Sequence, residues 1–325
     1  MYMEKLEKIM QDTAKHFLQE QKVDLIIGYK QGTIPLRTTP CFVTKPEDIS
    51  QLVWNVCCDH DLTNFLLQPE YKDKKVGIIV KGCDARALVV CMAEGQIERE
   101  MVTIIGMSCP GMIDRKRIES ELEPKEILVA EITEDQIHLK GKDFEQTLQK
   151  DDYIQASCKS CRYNNPPVCD VLIGGQPIEL SFNDDLDEKL AELEAKSPDE
   201  RWTYFTTLLS DCIRCYACRN ACPLCYCKEC FVDQTQPQWV GKTTNISDIM
   251  FYHMIRAFHV AGRCVECGAC TRACPMNIDL RLITRKLQNI VKDRYGFEAG
   301  LDPNVPPPMG THNMEDPQEF ITEPE

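Results

Sequence analysis

The feature that most constrains this chain is a pair of cysteine runs, Cys212-x-x-Cys215-x-x-Cys218-x-x-x-Cys222-Pro223 and Cys264-x-x-Cys267-x-x-Cys270-x-x-x-Cys274-Pro275. In each run three thiols must converge from one tight loop, and the fourth, set before a proline, reaches toward a neighbouring loop. With this spacing three thiolates hold one 4Fe–4S cube and the fourth ligates the other. On that rule Cys212, Cys215, Cys218 and Cys274 hold one cluster, and Cys264, Cys267, Cys270 and Cys222 hold the second. The fold therefore has to bring the two runs together. A chain built around such sites moves electrons.

The chain has 325 residues, room for about two domains. It carries 20 cysteines, a density that in a small secreted protein would read as a disulfide framework. Met1 leads instead into a charged amphipathic stretch (Glu4, Lys5, Glu7, Lys8), unlike a signal peptide. No apolar run approaches the ~20 residues needed to cross a bilayer. A cytoplasmic, reducing and anaerobic setting is expected, with no transmembrane segment. The formal net charge of −14 argues against nucleic acid, whose binding needs basic side chains to neutralise phosphate.

Residues 1–182 read as an α/β domain, a mixed or parallel sheet with helices on both faces. Met3, Leu6, Ile9, Met10, Phe17 and Leu18 mark one face of a first helix. Val23–Gly28, Val76–Val80 and Met101–Gly106 are short apolar strands; Pro46 opens a helix with Ile49, Leu52, Val53 and Val56 on one face. Residues 183–200, acidic from Asn183 to Glu200, read as a linker. Residues 201–295 form an α-helical ferredoxin-type domain with two 4Fe–4S clusters. Its insert carries a helix with Ile246, Ile249, Met250, Met254, Ala257 and Phe258 at helical spacing, after possible caps Asn245 and Ser247. Residues 296–325, rich in proline and acid (Glu315, Asp316, Glu323, Glu325), read as an extended tail.

Further cysteines sit at the expected strand ends: Cys83 in Lys81-Gly-Cys-Asp84 and Cys109 in Ser108-Cys-Pro-Gly111. Ligands collect there in open α/β sheets. Cys158-Lys-Ser-Cys161 is a pair that zinc and redox sites share, and Cys169 competes with Cys161 as a ligand. Cys225, Cys227 and Cys230 are either a further metal site or thiols packed near a cluster. Cys41, Cys57, Cys58 and Cys91 have apolar neighbours and read as small core residues.

The segment Val23–Gly28 with Pro35-Leu-Arg37, the turns at Lys81–Asp84 and Ser108–Gly111, and Ser157–Tyr163 followed by Asp170 and Gly174 resemble the beta subunits of coenzyme F-420 (deazaflavin) hydrogenases and dehydrogenases. The likeness covers roughly residues 20–180. It implies a 4Fe–4S cluster beside a flavin, FAD or FMN, with Cys83, Cys109, Cys158 and Cys161 as the ligands of a third cluster. The C-terminal half is similar to the helical di-cluster modules of heterodisulfide reductase and anaerobic sulfite reductase, through both cysteine runs and Pro223-Leu-Cys225-Tyr-Cys227. Together these imply an iron–sulfur electron-transfer subunit of a cytoplasmic anaerobic oxidoreductase complex. The complex would be of the heterodisulfide-reductase, formate-dehydrogenase, hydrogenase or methylene-tetrahydrofolate-reductase type, and its other subunits would be the partners. The alternative is a self-contained flavin/iron–sulfur reductase of a small substrate such as sulfite or a deazaflavin. No catalytic acid, base or nucleophile, and no flavin-binding residue, can be named from the sequence.

Overall fold

Val76-Gly-Ile-Ile-Val80 is apolar throughout, a pattern stable in a strand only when both of its faces are covered. In the computed structural model, which describes residues 2–175, 186–312 and 314, it forms β3 (Val76–Val80) with all five residues buried. Strands β1 (Leu25–Gln31) and β4 (Val102–Met107) flank it in parallel. β2 (Thr38–Val43) closes one edge antiparallel to β1, and β8 (Val171–Ile173) extends the other edge parallel to β4. The sheet order is β2-β1-β3-β4-β8. Fully buried Ile26, Ile27, Ile78, Ile79, Ile104 and Ile105 form its centre, each worth about 1.5–3 kcal/mol of burial. Helix α1 (Tyr2–Gln19) packs against this sheet through Leu6, Met10, Ala14 and Leu18. Ile9, expected on that face, is exposed, and Ala14 takes the inward position.

The expected mixed sheet is present, with a second sheet the sequence reading missed. β5 (Ile127–Ile132), β6 (Gln136–Gly141) and β7 (Glu145–Gln149) form an antiparallel meander. Ile137, Leu139 and Leu148 from it pack with Ile118 and Leu122 of α4 (Arg115–Leu122). The alternation Ile137-His-Leu139-Lys was the available signal. The helix expected from Pro46 is a short 3-10 turn, Pro46–Gln51, with Ile49 and Leu52 buried beside it. Short helical turns α2 (Thr63–Leu66) and α5 (Ala156–Lys159) lie in the connections.

The chain divides into two compact units, Met1–Ala85 with Ile97–Asn183, and Arg86–Gln96 with Asp184–Glu325. The division falls inside α3 (Gly82–Ala93), so this helix from Arg86 onward belongs with the helical unit, not with the α/β domain expected for residues 1–182. The helical unit also contains α6 (Leu186–Glu194), α7 (Pro198–Leu209), α8 (Ala217–Asn220), α9 (Ile246–His259), α10 (Ala269–Ala273) and α11 (Arg281–Tyr295).

Two expectations need correction here. The stretch 183–200, expected as a linker, is helical over Leu186–Glu194 and again from Pro198; residues 183–185 lie outside the described residues. Leu186, Leu190 and Leu193 share one helix face and bury against Leu282 of α11, which outweighs the acidic composition. Ser197 then starts α7 with a capping box that includes Glu200. The tail expected from residue 296 is packed near its start. Ala299 is buried, and Arg86 donates Nε and Nη2 hydrogen bonds to its carbonyl at 3.0 and 2.8 Å. Arg86 thus acts as a clamp; its Nη1 also reaches the Val265 carbonyl at 3.3 Å. Glu315, Asp316, Glu323 and Glu325 lie outside the described residues.

Candidate metal centres

The two cysteine runs fold as conformational twins. Arg214 (φ 51°) and Tyr216 (φ 59°) in the first match Glu266 (φ 58°) and Gly268 (φ 73°) in the second. Each run thus turns through the left-handed region two and four residues after its first cysteine, then enters a short helix, α8 or α10. Three of these four residues have a Cβ, and each costs on the order of 1 kcal/mol in this conformation. Local contacts hold them there. Arg214 is buried, donates from Nη2 to Tyr216 Oη at 2.8 Å, and donates from Nη1 to the Thr243 carbonyl at 2.5 Å. The turn also points backbone N–H groups at the first sulfur: Glu266 N–H lies 3.4 Å from Cys264 Sγ, and Arg214 N–H takes the same role at Cys212.

Cys212, Cys215, Cys218 and Cys274 line a single pocket, with Ile278 and Leu280 among its apolar walls. The fourth of these cysteines comes from the second run. In the complementary set, Cys264 has Cys270 and Cys222 as electrostatic neighbours. Burial, followed by Cys270, the Glu266 carboxylate and Cys222, pushes Cys264 up to about 12. Burial likewise raises the Cys212 and Cys218 thiols. Among the described residues, no three His, Cys, Asp or Glu side chains converge as a single bound ion would require. The four thiols surround a chamber instead, and this donor set fits a 4Fe–4S cluster.

Helix α9, between the two runs, contributes the polar side chains. Tyr252 Oη lies 3.4 Å from Cys218 Sγ, and His253 Nε2 lies 3.4 Å from Cys212 Sγ. One turn further, the buried Arg256 donates from Nη2 to the Cys218 carbonyl at 3.1 Å. Its guanidinium interacts with the thiols of Cys222, Cys270 and Cys218, which come from both runs, and with that of Cys225 beyond the first run. Burial, with help from Arg256 and Arg214, pulls His253 down to about 4, so its ring is neutral. Of the face expected to point inward, Ile249, Met250 and Ala257 are buried, but sequence reasoning missed the polar part of the inner surface. Met254 and Phe258 are exposed, while Tyr252, His253 and Arg256 are buried. The helix faces sulfur, for which hydroxyl, imidazole and guanidinium donors are better matched than methyl groups. The available signal was the set of donors at i, i+1 and i+4 between two cysteine runs.

The trailing cysteines take different positions. Cys225 is hydrogen-bonded to Cys222, and this bond, with Arg256 and Arg263, pulls its thiol below the ordinary range despite burial. Cys230 packs in the core of the helical unit, and Cys227 is exposed.

In the α/β unit, Cys109 follows β4 and is buried; burial first, then Cys158 and Cys161, push its thiol up. The segment carrying that pair is held against the strand ends: Cys109 N–H donates to the Asn164 carbonyl at 2.9 Å, and Met112 N–H lies 3.4 Å from Cys158 Sγ. Cys83 lies in the first turn of α3, immediately after Gly82, which fits against the Tyr163 and Asn165 carbonyls. Cys169 lies under β4 with its Sγ against Gly106. Cys41, Cys57, Cys58 and Cys91 are buried core thiols, and burial pushes Cys57 and Cys58 up to about 12.

Residues 73–203 match the family described as the C terminus of the beta subunit of coenzyme F420 hydrogenase/dehydrogenase, and residues 208–278 match the 4Fe-4S dicluster domain. The chain joins a domain of that beta-subunit family to a 4Fe–4S dicluster domain. Iron–sulfur clusters are therefore its cofactors. A relative from Methanocaldococcus jannaschii, the F420-dependent formate dehydrogenase subunit beta, is 26% identical over 353 aligned positions, spanning 90% of this chain and 91% of that protein. A second, the F420-dependent formate dehydrogenase 1 subunit beta of Methanococcus maripaludis, is 25% identical over 355 positions, spanning 91% of each. A chain of the xenon-derivatised F420-reducing [NiFe] hydrogenase complex from Methanosarcina barkeri aligns at 17% identity. That alignment covers 49% of this chain and 62% of the other, with a TM-score of 0.36. No helix among the described residues of this chain is long and apolar enough to cross a membrane.

Proposed function

We propose that this chain is an iron–sulfur electron-transfer subunit of a cytoplasmic, multi-subunit oxidoreductase of the F420-dependent formate dehydrogenase or hydrogenase kind. In this reading three 4Fe–4S clusters are bound. Cys212, Cys215, Cys218 and Cys274 hold the first, Cys264, Cys267, Cys270 and Cys222 the second, and Cys83, Cys109, Cys158 and Cys161 the third. One-electron exchange without bond making is the chemistry such clusters supply when bound. The protein's share is to converge the thiols, bury them, and aim backbone and side-chain donors at sulfur.

The observation that carries the reading is the pocket lined by Cys212, Cys215, Cys218 and Cys274, which takes its fourth thiol from the other run. The third set rests on the grouping of Cys109 with Cys158 and Cys161. A flavin in the α/β unit completes the proposal; it is supported by the beta-subunit family match and has no residue assignment. The other subunits of the complex are the partners, supported by the two formate dehydrogenase relatives.

Anaerobically purified full-length chain tests the reading by metal analysis. About twelve iron and twelve acid-labile sulfur atoms per chain are expected. About eight of each would remove the third cluster, and fewer would overturn the assignment of the two runs. Flavin released on denaturation in one-to-one ratio is expected, and its absence would leave a cluster relay alone. Anaerobic affinity purification from the native host should recover oxidoreductase subunits; isolation as a lone chain would count against the complex.

A further inference from the structure

Three side chains within about one turn of α9 address the thiols that the proposed clusters would use. Tyr252 and His253 each reach a sulfur of the first set, Cys218 and Cys212, at 3.4 Å. Cluster-bound sulfur carries no proton, so in a loaded site the tyrosine hydroxyl and the imidazole Nε2–H must be the donors. Arg256 differs in kind. It is 5% exposed, and its Nε has no hydrogen-bond partner among the described residues. Its charge bears on Cys218 of the first set and on Cys222 and Cys270 of the second. A buried guanidinium with an unpartnered N–H is costly unless negative charge is present beside it. Two thiolate-bound clusters would provide that charge.

We infer that α9 sets the reduction potentials of the paired clusters: Tyr252 and His253 raise that of the Cys212/Cys215/Cys218/Cys274 site, and Arg256 raises both. The inference rests on the cluster assignment above. Its physical basis is that a reduced cluster carries one more negative charge. Hydrogen bonds to its sulfurs and a nearby cation stabilise that charge and move the potential upward. Hydrogen bonds to ionised acceptors are stronger than neutral ones, and low dielectric strengthens them further. The three residues touch cysteine ligands or their backbone, so their role is tuning. They hold no cluster and exchange no electron.

The test is an EPR-monitored redox titration of the anaerobically reconstituted full chain, with Cys215→Ser and Cys267→Ser chains used to assign the two signals. Tyr252→Phe and His253→Ala are each expected to move the first site's midpoint to a more reducing value, leaving the second site's in place. Their iron content should stay at the wild-type level. His253→Gln, which keeps a side-chain N–H, should bring the midpoint back toward wild type. Arg256→Met is expected to lower both midpoints, and Arg256→Lys, which keeps the charge, to lower them less. Should Arg256→Met fail to fold, the Tyr252 and His253 variants still decide the matter. Unchanged midpoints in fully loaded Tyr252→Phe and His253→Ala chains would overturn the inference while leaving the cluster assignment intact. Fewer than about eight iron atoms in the wild-type chain would instead remove the assignment on which it rests.

Discussion

Lys81 Nζ lies 2.7 Å from Asp84 Oδ2, and the two side chains are only 2% and 1% exposed. The remaining ammonium donors go to Tyr29 Oη at 2.6 Å and the His60 carbonyl at 2.9 Å, so every N–H of the buried cation is used. Burial alone would push the Lys81 ammonium down; Asp84, with Tyr29 and Cys83, outweighs it and holds the group well above the usual lysine range. Cys83 lies within this Lys81–Asp84 turn, so the ion pair fixes the backbone that presents a proposed cluster ligand.

Removing one partner should cost far more than removing both. Lys81→Met leaves a buried carboxylate unpaired, and a loss of about 3–5 kcal/mol is expected. A Lys81→Met/Asp84→Leu double variant should recover most of it, because the desolvation cost disappears with the charges. Urea denaturation of the three chains measures the difference. Equal destabilisation of the single and double variants would show that the pair acts through something other than its charge.

Asp61 neighbours this pair and gives it a pH dependence. Its Oδ1 accepts from Thr63 N–H at 3.0 Å, while the buried Oδ2 has no hydrogen-bond partner among the described residues. Burial, then the Asp84 carboxylate, pushes it up from an ordinary 3.8 to about 7, against smaller lowering by Thr63 and Lys81. Because the folded state holds this proton more tightly than the unfolded chain, stability is fully present below about pH 4 and is lost as pH rises through about 7. Asp61→Asn should flatten that slope and raise stability at pH 8, with the two chains converging toward pH 5. Denaturation midpoints across that range check it; parallel slopes in the two chains would refute it.

How far the sequence disclosed this molecule depends on whether pattern or partner decided the outcome. β3 was legible because five consecutive apolar residues have one stable use in an α/β sheet. The cysteine spacing led to the expectation that Cys274 lies with the first run, and Cys274 lines the pocket that holds Cys212, Cys215 and Cys218. The inward face of α9 was legible only in part: Ile249, Met250 and Ala257 are buried as the periodicity implies, whereas Tyr252, His253 and Arg256, which meet thiols, fall outside an apolar pattern. The helix at Leu186–Glu194 was hidden for a different reason: its acidic residues lie outward, and the partner that buries its leucines, Leu282, is remote in sequence.

Gly82 links the fold to the proposed third site. A Cβ there would lie 1.8 Å from the Tyr163 carbonyl oxygen, a backbone atom that cannot move without shifting the segment between Cys161 and Cys169. Gly82→Ala should therefore displace that segment from the strand ends. The expected result is a folded chain that loses about four of twelve iron atoms and keeps the signals of the two ferredoxin-type sites. Full iron in Gly82→Ala would show that the third site does not depend on this contact.

The proposed crossed ligation makes a pairing prediction that simple iron counting cannot. Cys274 shares a pocket with Cys212, Cys215 and Cys218, although Cys270 is its nearer cysteine in sequence. Cys222 is an electrostatic neighbour of Cys264, although it closes the first run. Cys274→Ser should therefore perturb the same EPR signal as Cys215→Ser, and Cys222→Ser the same signal as Cys267→Ser. Cys225, hydrogen-bonded to Cys222, provides the control: Cys225→Ala removes a neighbour of the ligand and should leave iron content unchanged. If Cys274→Ser alters the Cys267 signal instead, each run would hold its own cluster, and the pocket would have another role.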